Sequence, residues 1–222
     1  MAFEIEWIPS QFFDSGKTSN EMIIVHHTGS TNGRINSLEG TISWFKPDPW
    51  RSRYQVSAHY IIPREQGRII QMVRDEDTAW HAGRSEWVIN GVHRDKLNFR
   101  TIGIELQGDG NLVDYTPFQY EALIWLTKQK MAQFAVPVDL VRGHQEISSG
   151  KVDPGERFDW TMFRNALTSS GVFIPDNGTG GLIDDDGDGV IYIDETDDVF
   201  IPDGKDRSLF ERILNSIFSI FR

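Results

Sequence analysis

The sequence predicts an α/β fold with a mixed central β-sheet flanked by helices, because short apolar runs alternate with helix-like segments. Residues 21–27 and 101–106 are apolar runs of strand length, which is typical of buried strands. Residues 116–134 carry a mixed apolar stripe at helical spacing, which predicts a helix that covers one face of a sheet. We therefore expect strands and helices to lie in separate layers.

Further elements are predicted between and after these segments. Residues 59–73 contain two short apolar runs around a polar turn, which predicts a β-hairpin. Residues 139–143 predict another strand. Thr116 begins the pattern Thr-Pro-Phe-Gln, a capping box with proline at the first helical position, so the long helix should begin at Pro117. A second helix is predicted from Asp159 onward.

Length and composition divide the chain into three segments. We expect a globular main domain over residues 1–172, a linker over 173–183 and a small C-terminal extension over 184–222. The linker is rich in Gly and polar residues, and the segment that follows it is strongly acidic. A chain of 222 residues has the size of one domain with a small appendage.

The distribution of charge argues against nucleic acid as a partner. The net charge is −11, but ten acidic residues and no Lys or Arg occur between positions 176 and 203, so residues 1–175 are almost neutral. No cluster of Lys and Arg stands out that would neutralise phosphates.

Cysteine content and hydropathy exclude other classes of protein. The chain has no Cys, so disulfides and thiolate ligands are excluded, and a zinc ion would need His and carboxylate ligands. No apolar run approaches the roughly twenty residues of a membrane-spanning helix. Residues 1–7 carry neither the basic nor the apolar region of a secretory signal peptide, so we expect synthesis in a cytoplasm without export by this route.

Three separated motifs carry side chains suited to a metal-dependent hydrolase. A strand delivers one His, a second strand delivers a Glu, and a loop delivers a His, a Lys and an Asp. These residues are His26, Glu105, His144, Lys151 and Asp153. Imidazole and carboxylate groups hold zinc, and a Glu can take a proton from water. The pattern therefore predicts a zinc-dependent hydrolytic site.

Each histidine also has a simpler explanation. Taken alone, His26 at a strand end is as well explained by a hydrogen-bonded structural His. His27 is adjacent in the strand, so its side chain is predicted to point to the opposite face and to have a structural or supporting role.

Five motifs in this order resemble one enzyme family. They are His26 after its strand, Ser57-Ala58-His59-Tyr60, Ala79-Trp80-His81-Ala82-Gly83, Ile102-Gly103-Ile104-Glu105, and Gly143-His144 followed by Lys151-Val152-Asp153-Pro154-Gly155. Together they resemble the zinc-dependent N-acetylmuramoyl-L-alanine amidases of the amidase_2 type, which are related to peptidoglycan recognition proteins and phage endolysins. The resemblance covers roughly residues 20–168.

The resemblance implies roles for individual residues. The implied zinc ligands are His26, His144 and Asp153. Glu105 would take a proton from water and pass it to the departing amine, and Lys151 would stabilise the developing oxyanion. The bond cleaved would be the amide between the lactyl group of N-acetylmuramic acid and L-alanine in bacterial peptidoglycan.

The same resemblance implies a wall for the substrate. The implied wall residues are Trp80, His81 and His59. Core packing explains Trp80 and His81 equally simply, and His59 could instead support the site from beneath.

Three functions fit this pattern. A phage or prophage endolysin, made in the host cytoplasm and acting at the cell wall, fits a compact lytic enzyme that lacks a signal peptide. A cytoplasmic amidase that recycles soluble muropeptides has the same chemistry. A non-catalytic peptidoglycan-binding module is the third, but the presence of all three ligands together with Glu105 and Lys151 favours an enzyme.

Residues 184–195 match the twelve-residue loop of an EF-hand. The predicted calcium ligands are Asp184, Asp186, Asp188, the carbonyl group of Val190, and Glu195. An acidic disordered linker would also be rich in Asp, but it would not be expected to combine Gly189 at the turn with Glu at the last position. The sequence therefore predicts a structural calcium site.

A C-terminal amphipathic helix is predicted to begin after Ser208, which repeats the capping-box pattern. Its apolar stripe has three explanations, which the sequence leaves open. It could dock onto the catalytic domain, target a membrane or the wall with the help of Arg207, Arg212 and Arg222, or mediate self-association.

Overall fold

The computed structural model describes residues 3–46, 55–65 and 67–169. Four predictions lie outside these residues and stay predictions. They are the domain boundary at 172, the linker at 173–183, the calcium loop at 184–195 and the C-terminal helix after Ser208. Within the described part, no helix is long and apolar enough to cross a membrane.

The strands and helices alternate along the described residues. The strands are β1 (Glu4–Trp7), β2 (Phe13–Asp14), β3 (Met22–His27), β4 (Ser30–Thr31), β5 (Arg34–Ile35), β6 (Tyr60–Ile62), β7 (Arg68–Gln71), β8 (Thr78–Ala79), β9 (Glu86–Ile89), β10 (Val92–Asp95), β11 (Thr101–Leu106) and β12 (Val141–Gly143). The helices are α1 (Leu38–Phe45), α2 (Pro117–Phe134), α3 (His144–Ile147) and α4 (Trp160–Thr168), with 3-10 turns at Leu97–Arg100 and Val138–Leu140.

Six strands form the predicted mixed sheet, in the order β1-β7-β6-β11-β3-β12. Strands β6, β11, β3 and β12 run parallel to one another, whereas β7 is antiparallel to β6, which confirms the predicted hairpin. All six residues of β11 are buried, and so are five of the six in β3. The two strands that end in His27 and Leu106 therefore form the centre of the sheet.

The long helix α2 has the predicted capping box. The hydroxyl group of Thr116 accepts a hydrogen bond from the backbone N–H of Gln119 (3.2 Å), and Gln119 Oε1 accepts one from the N–H of Thr116 (3.1 Å). One face of α2 joins Leu123 and Leu126 to the apolar core that contains Ile104 of the sheet. Burial of this face, more than helix propensity, holds α2 on the sheet.

Some elements were not predicted from the sequence. The β9–β10 hairpin turns at Asn90 and Gly91, which both have positive φ (50° and 76°). Asn-Gly is the strongest short hairpin signal, so this element had a signature in the sequence. The strand predicted at 139–143 begins only at Val141, because residues 138–140 form a 3-10 turn.

Candidate active site

The candidate site lies where neighbouring parallel strands end. His26 of β3 pairs with Glu105 of β11, so both side chains extend from the same face of the sheet. His144 is the first residue of α3, directly after β12, which pairs in parallel with β3. The carboxyl ends of three adjacent strands therefore bring the predicted residues together, as is common for sites on parallel sheets.

His26, His144 and Asp153 form a compact group, which we name the ligand cluster. Asp153 Oδ2 lies 2.8 Å from His26 Nδ1 and 3.0 Å from His144 Nδ1. The two Nδ1 atoms lie 3.1 Å apart. All three residues are buried. The structure thus brings together the three residues that the sequence indicated as zinc ligands.

The hydrogen bond on the far side of His144 decides which of its nitrogens can bind a metal. His144 Nε2 lies 3.2 Å from the carbonyl oxygen of Ala82, which can only accept, so Nε2 carries the proton. In the neutral ring, Nδ1 then holds a lone pair that faces the carboxylate of Asp153. Lone pairs that face each other in a buried site repel, and a cation between them removes the repulsion.

The donor set and spacing of the ligand cluster fit zinc. The three ligand atoms lie within 4.8 Å of one another. Ligands at zinc bond lengths of about 2.0–2.1 Å sit roughly 3.3 Å apart in a tetrahedron. Burial lowers the pKa of His26 to about 4, against the opposing effect of Asp153, and so keeps the ring in the neutral form that metals bind.

Two carboxyl groups at the site have opposite pKa shifts. Burial alone would raise the pKa of Asp153, but the His144 and His26 rings, which can donate to its carboxylate when their Nδ1 atoms are protonated and no metal is bound, hold that pKa well below the usual range. Burial raises the pKa of Glu105 well above the usual range, and the charge of Asp153 adds to this, whereas Lys151 opposes it. Neighbouring groups with separated pKa values are typical of acid–base sites.

Glu105 has an uncompensated oxygen. Its side chain is buried, and Oε2 has no hydrogen-bond partner among the described residues. A buried carboxyl oxygen without a partner is costly, so its presence indicates a partner that binds during function.

Lys151 lies at the rim of the site. Its side chain is exposed, and its positive charge acts on both Glu105 and His26. The backbone N–H of Lys151 donates to the carbonyl oxygen of Ser148 (3.4 Å), which ties the loop to the end of α3. The exposed ammonium group therefore acts electrostatically on the carboxyl group of Glu105.

Trp80 and His81 differ in their surroundings, although both were predicted to line the substrate. Trp80 is partly exposed, and its indole N–H donates to Asp14 Oδ2 (2.9 Å). Both ring nitrogens of His81 have partners, since Nδ1 lies 2.9 Å from His26 Nε2 and Nε2 lies 3.1 Å from Thr101 Oγ1. Both side chains are partly exposed and can present surface to a ligand, but the nitrogens of His81 are occupied within the protein.

His59 has none of its surface exposed, so the predicted contact with substrate is not available to it. Its Nδ1 accepts a hydrogen bond from the backbone N–H of Gly103 (3.0 Å), and its Nε2 lies 2.8 Å from Lys17 Nζ. Lys17 Nζ also donates to Asn20 Oδ1 and to the carbonyl oxygen of Thr101, each at 2.8 Å. We name Lys17, Asn20 and His59 the Lys17 cluster.

Two polar residues near the site had no counterpart in the sequence prediction. Lys17 contacts His59, and Asn98 Oδ1 accepts hydrogen bonds from the backbone N–H groups of His81 (3.1 Å) and Ala82 (2.7 Å). Single polar residues in irregular segments carry no periodicity, so one sequence offers no signal for them.

Comparisons with known proteins agree with this geometry. Residues 16–156 match the Amidase_2 family, described as N-acetylmuramoyl-L-alanine amidase. The chain is 41% identical over 181 residues to the 1,6-anhydro-N-acetylmuramyl-L-alanine amidase AmpD of Salmonella typhimurium strain LT2, over 75% of this chain and 92% of that protein. It is 38% identical over 121 residues to the N-acetylmuramoyl-L-alanine amidase AmiD of Escherichia coli K12, over 48% of this chain and 42% of that protein.

Solved structures agree as well. The crystal structure of a Se-Met AmpD derivative matches with a TM-score of 0.63 and 29% identity, over 76% of this chain and 97% of that chain. The fold, the ligand cluster and these relatives lead to one conclusion. The chain belongs to the Amidase_2 family of N-acetylmuramoyl-L-alanine amidases.

Proposed function

We propose that this amidase acts on soluble 1,6-anhydro-N-acetylmuramyl peptides and cleaves the amide between the lactyl group of the sugar and L-alanine. The support is the 41% identity to relatives whose names state this substrate, over 92% of their length. An endolysin was the first expectation from the sequence, and a recycling amidase was the alternative. The relatives favour the alternative.

The observation that carries the chemistry is the ligand cluster beside the unpartnered Oε2 of Glu105. In this proposal, His26, His144 and Asp153 hold the zinc ion. When bound, zinc supplies Lewis acidity, which polarises a carbonyl group and lowers the pKa of water. The three protein ligands leave a fourth position free for the reacting groups.

The proton transfers are assigned to Glu105. Its carboxylate accepts a proton from the attacking water and then donates it to the nitrogen of the departing amine, which leaves as the free amino group of L-alanine. A raised pKa suits a group that must hold this proton between the two steps. Glu105 Oε2 has no hydrogen-bond partner among the described residues, so it is free to receive the proton.

Lys151 is assigned to the developing oxyanion. Its ammonium group carries the positive charge that acts on Glu105 and is exposed at the rim, where a substrate carbonyl would arrive. Of the predicted wall residues, Trp80 and His81 are partly exposed, and Trp80 offers the larger apolar surface to pack against the substrate.

The substrate proposal is tested by mass analysis of products from three substrates. These are a 1,6-anhydro-N-acetylmuramyl tripeptide, the same muramyl tripeptide without the anhydro bond, and intact sacculi. We expect the zinc-loaded protein to release a peptide with a free L-alanine amine, fastest from the anhydro compound. Metal-stripped protein serves as the control and should regain activity when zinc is added.

Faster release from sacculi than from the anhydro compound would overturn the recycling function in favour of the endolysin. Release of no free L-alanine amine from any of the three substrates would overturn the amidase mechanism itself.

The endolysin stays a second candidate because of the EF-hand pattern at residues 184–195. Cytosolic calcium is too scarce to load a weak single site, so a calcium loop fits an enzyme that works at the cell wall. Calcium should then raise the melting temperature of the full chain. An equal rise in an Asp184→Ala/Glu195→Ala double variant would exclude calcium binding at this loop.

A further inference from the structure

We infer that the loop formed by residues 80–83, named the positioning loop, orients both imidazole ligands of the zinc ion, with His81 and Asn98 as positioning residues. The inference rests on the zinc site proposed above, but it assigns these residues a task that the chemistry of the reaction does not require. Neither His81 nor Asn98 belongs to the ligand cluster.

The first contact of the positioning loop is with His26. When His26 Nδ1 binds zinc, its Nε2 carries the proton and donates to His81 Nδ1 at 2.9 Å. His81 Nε2 then carries a proton and donates to Thr101 Oγ1 at 3.1 Å, and the Thr101 hydroxyl donates to the carbonyl oxygen of Leu97 at 2.8 Å. Every donor in this series of hydrogen bonds has an acceptor, so the series fixes the orientation of the His26 ring on the side away from the ligand cluster.

The second contact is with His144. The carbonyl oxygen of Ala82, the residue after His81, accepts a hydrogen bond from His144 Nε2 at 3.2 Å. Two consecutive residues of one loop therefore set which nitrogen of each histidine faces the metal. A displacement of this loop would therefore disturb His26 and His144 together. If each histidine were held by a different segment, a displacement of one segment would disturb only one of them.

Asn98 and Gly103 hold the positioning loop in place. Asn98 Oδ1 accepts hydrogen bonds from the backbone N–H groups of both His81 and Ala82. On the other side, the ring of His81 lies directly against Gly103 of β11, where a Cβ atom would come within 2.5 Å of its Cγ and Nδ1 atoms. The glycine therefore provides the space for the imidazole ring beside His26.

The same reasoning explains why the two nitrogens of His81 are unavailable to a substrate. One accepts from a zinc ligand, and the other donates to a buried hydroxyl group. An imidazole engaged in this way acts on the reaction through the metal ligand that it orients.

The test compares zinc affinity, cobalt spectra and activity in three variants of the full chain. His81→Leu removes the acceptor for His26, His81→Asn restores an acceptor close to the position of Nδ1, and Asn98→Ala releases the loop. Zinc affinity is measured by competition with a chromogenic chelator. Cobalt absorption in the visible range reports the ligand geometry independently of activity.

We expect His81→Leu and Asn98→Ala to bind zinc roughly 10- to 100-fold more weakly than the wild type, with altered cobalt spectra, and His81→Asn to recover part of the loss. Tyr60→Phe is the matched control, because it removes the two hydrogen bonds of a buried hydroxyl group, one donated to Asp75 and one accepted from Gln71, neither of which involves the ligand cluster. Tyr60→Phe should lower stability but keep the zinc affinity and the cobalt spectrum of the wild type.

Wild-type zinc affinity and spectra in both His81→Leu and Asn98→Ala would overturn the inference and leave the proposed function intact. A wild-type chain that binds no stoichiometric zinc would instead overturn the proposed function. Thermal unfolding of the metal-free variants identifies any that fail to fold. If His81→Leu fails to fold, the zinc affinity and cobalt spectrum of His81→Asn and Asn98→Ala test the inference instead.

Discussion

The ligand cluster and the Lys17 cluster both place polar side chains in the interior, yet their hydrogen bonds are arranged in opposite ways. In the Lys17 cluster, His59 Nδ1 accepts from the N–H of Gly103, so Nε2 carries the proton and points at Lys17 Nζ. When Lys17 is neutral, its Nζ accepts that hydrogen bond, for which the carbonyl oxygen of Asp77 at 3.2 Å is a second acceptor, and its own two protons go to Asn20 and to the Thr101 carbonyl. Each donor meets an acceptor.

The ligand cluster has no such balance. His144 Nε2 donates to the carbonyl oxygen of Ala82, so in the neutral ring His144 Nδ1 presents a lone pair to Asp153 Oδ2, and His26 Nδ1 lies 2.8 Å from the same oxygen. Buried lone pairs that converge without a donor need a cation. The comparison therefore contrasts a polar cluster in which each donor has an acceptor with one whose converging acceptors a cation would complete.

The largest effect is expected when the ligand cluster loses its anion. Asp153→Ala should abolish stoichiometric zinc binding and lower amide cleavage at least about a thousandfold, because the Lewis acid contributes several kcal/mol to the transition state. Zinc content and product release are measured on the same preparation. Retention of stoichiometric zinc by the variant would contradict the assignment of Asp153.

A smaller loss is expected at Glu105, which lies beside the cluster but is not one of its members. Glu105→Gln keeps the shape of the side chain and removes the proton acceptor, so kcat should fall about 10²- to 10⁴-fold with zinc content unchanged. An unchanged kcat would exclude Glu105 as the base. Loss of zinc together with activity would place Glu105 among the ligands.

Gly103→Ala is expected to weaken the ligand cluster through the positioning loop. The new Cβ must displace the ring of His81, so we expect about tenfold weaker zinc binding and a decrease of about 1–3 kcal/mol in the free energy of unfolding. Gly40→Ala in α1 is the control, because its Cβ would make only ordinary contacts and should not change zinc affinity. Equal zinc affinity in the two variants would argue against the steric link.

The smallest effect is expected in the Lys17 cluster, as a dependence of stability on pH. Burial lowers the pKa of Lys17 from 10.5 to about 7, against the opposing charges of Asp75, Asp77 and Glu76. Between these pH values the unfolded chain binds more protons than the folded one, so the free energy of unfolding should rise with pH, by at most about 1.4 kcal/mol per unit.

Lys17→Met should remove this rise, which denaturant unfolding at pH 7 and pH 9 would detect. The comparison is made on metal-free protein, so that zinc binding does not add its own pH dependence. Identical slopes for the variant and the wild type would mean that Lys17 stays charged, and that the proposed donor and acceptor balance of its cluster is wrong.

The sequence was sufficient to predict the secondary-structure elements that depend on local residue patterns. Strands β3 and β11 and the capping box of α2 follow from apolar runs and from Thr116 with Gln119, and their positions agree with the structure. The ligand cluster was also found, because its members occur in ordered motifs. Asn90-Gly91 carried a hairpin signal that the initial interpretation did not use.

Tertiary contacts explain what the sequence could not provide. Lys17 meets His59 across 42 positions of the chain, and Asn98 meets the positioning loop through a single carboxamide oxygen. His81 was predicted to line the substrate site because its motif combines an aromatic residue with glycine. Only the fold shows that its ring lies against Gly103. Such roles depend on where segments meet in space, which no periodicity encodes.

The most direct test of the account is a crystal structure of the zinc-loaded chain with an anomalous difference map collected at the zinc absorption edge. The account predicts one peak at about 2.0–2.2 Å from His26 Nδ1, His144 Nδ1 and an Asp153 oxygen, with the fourth position open. A peak coordinated by the Nε2 atoms, or no zinc peak between these three side chains, would contradict it.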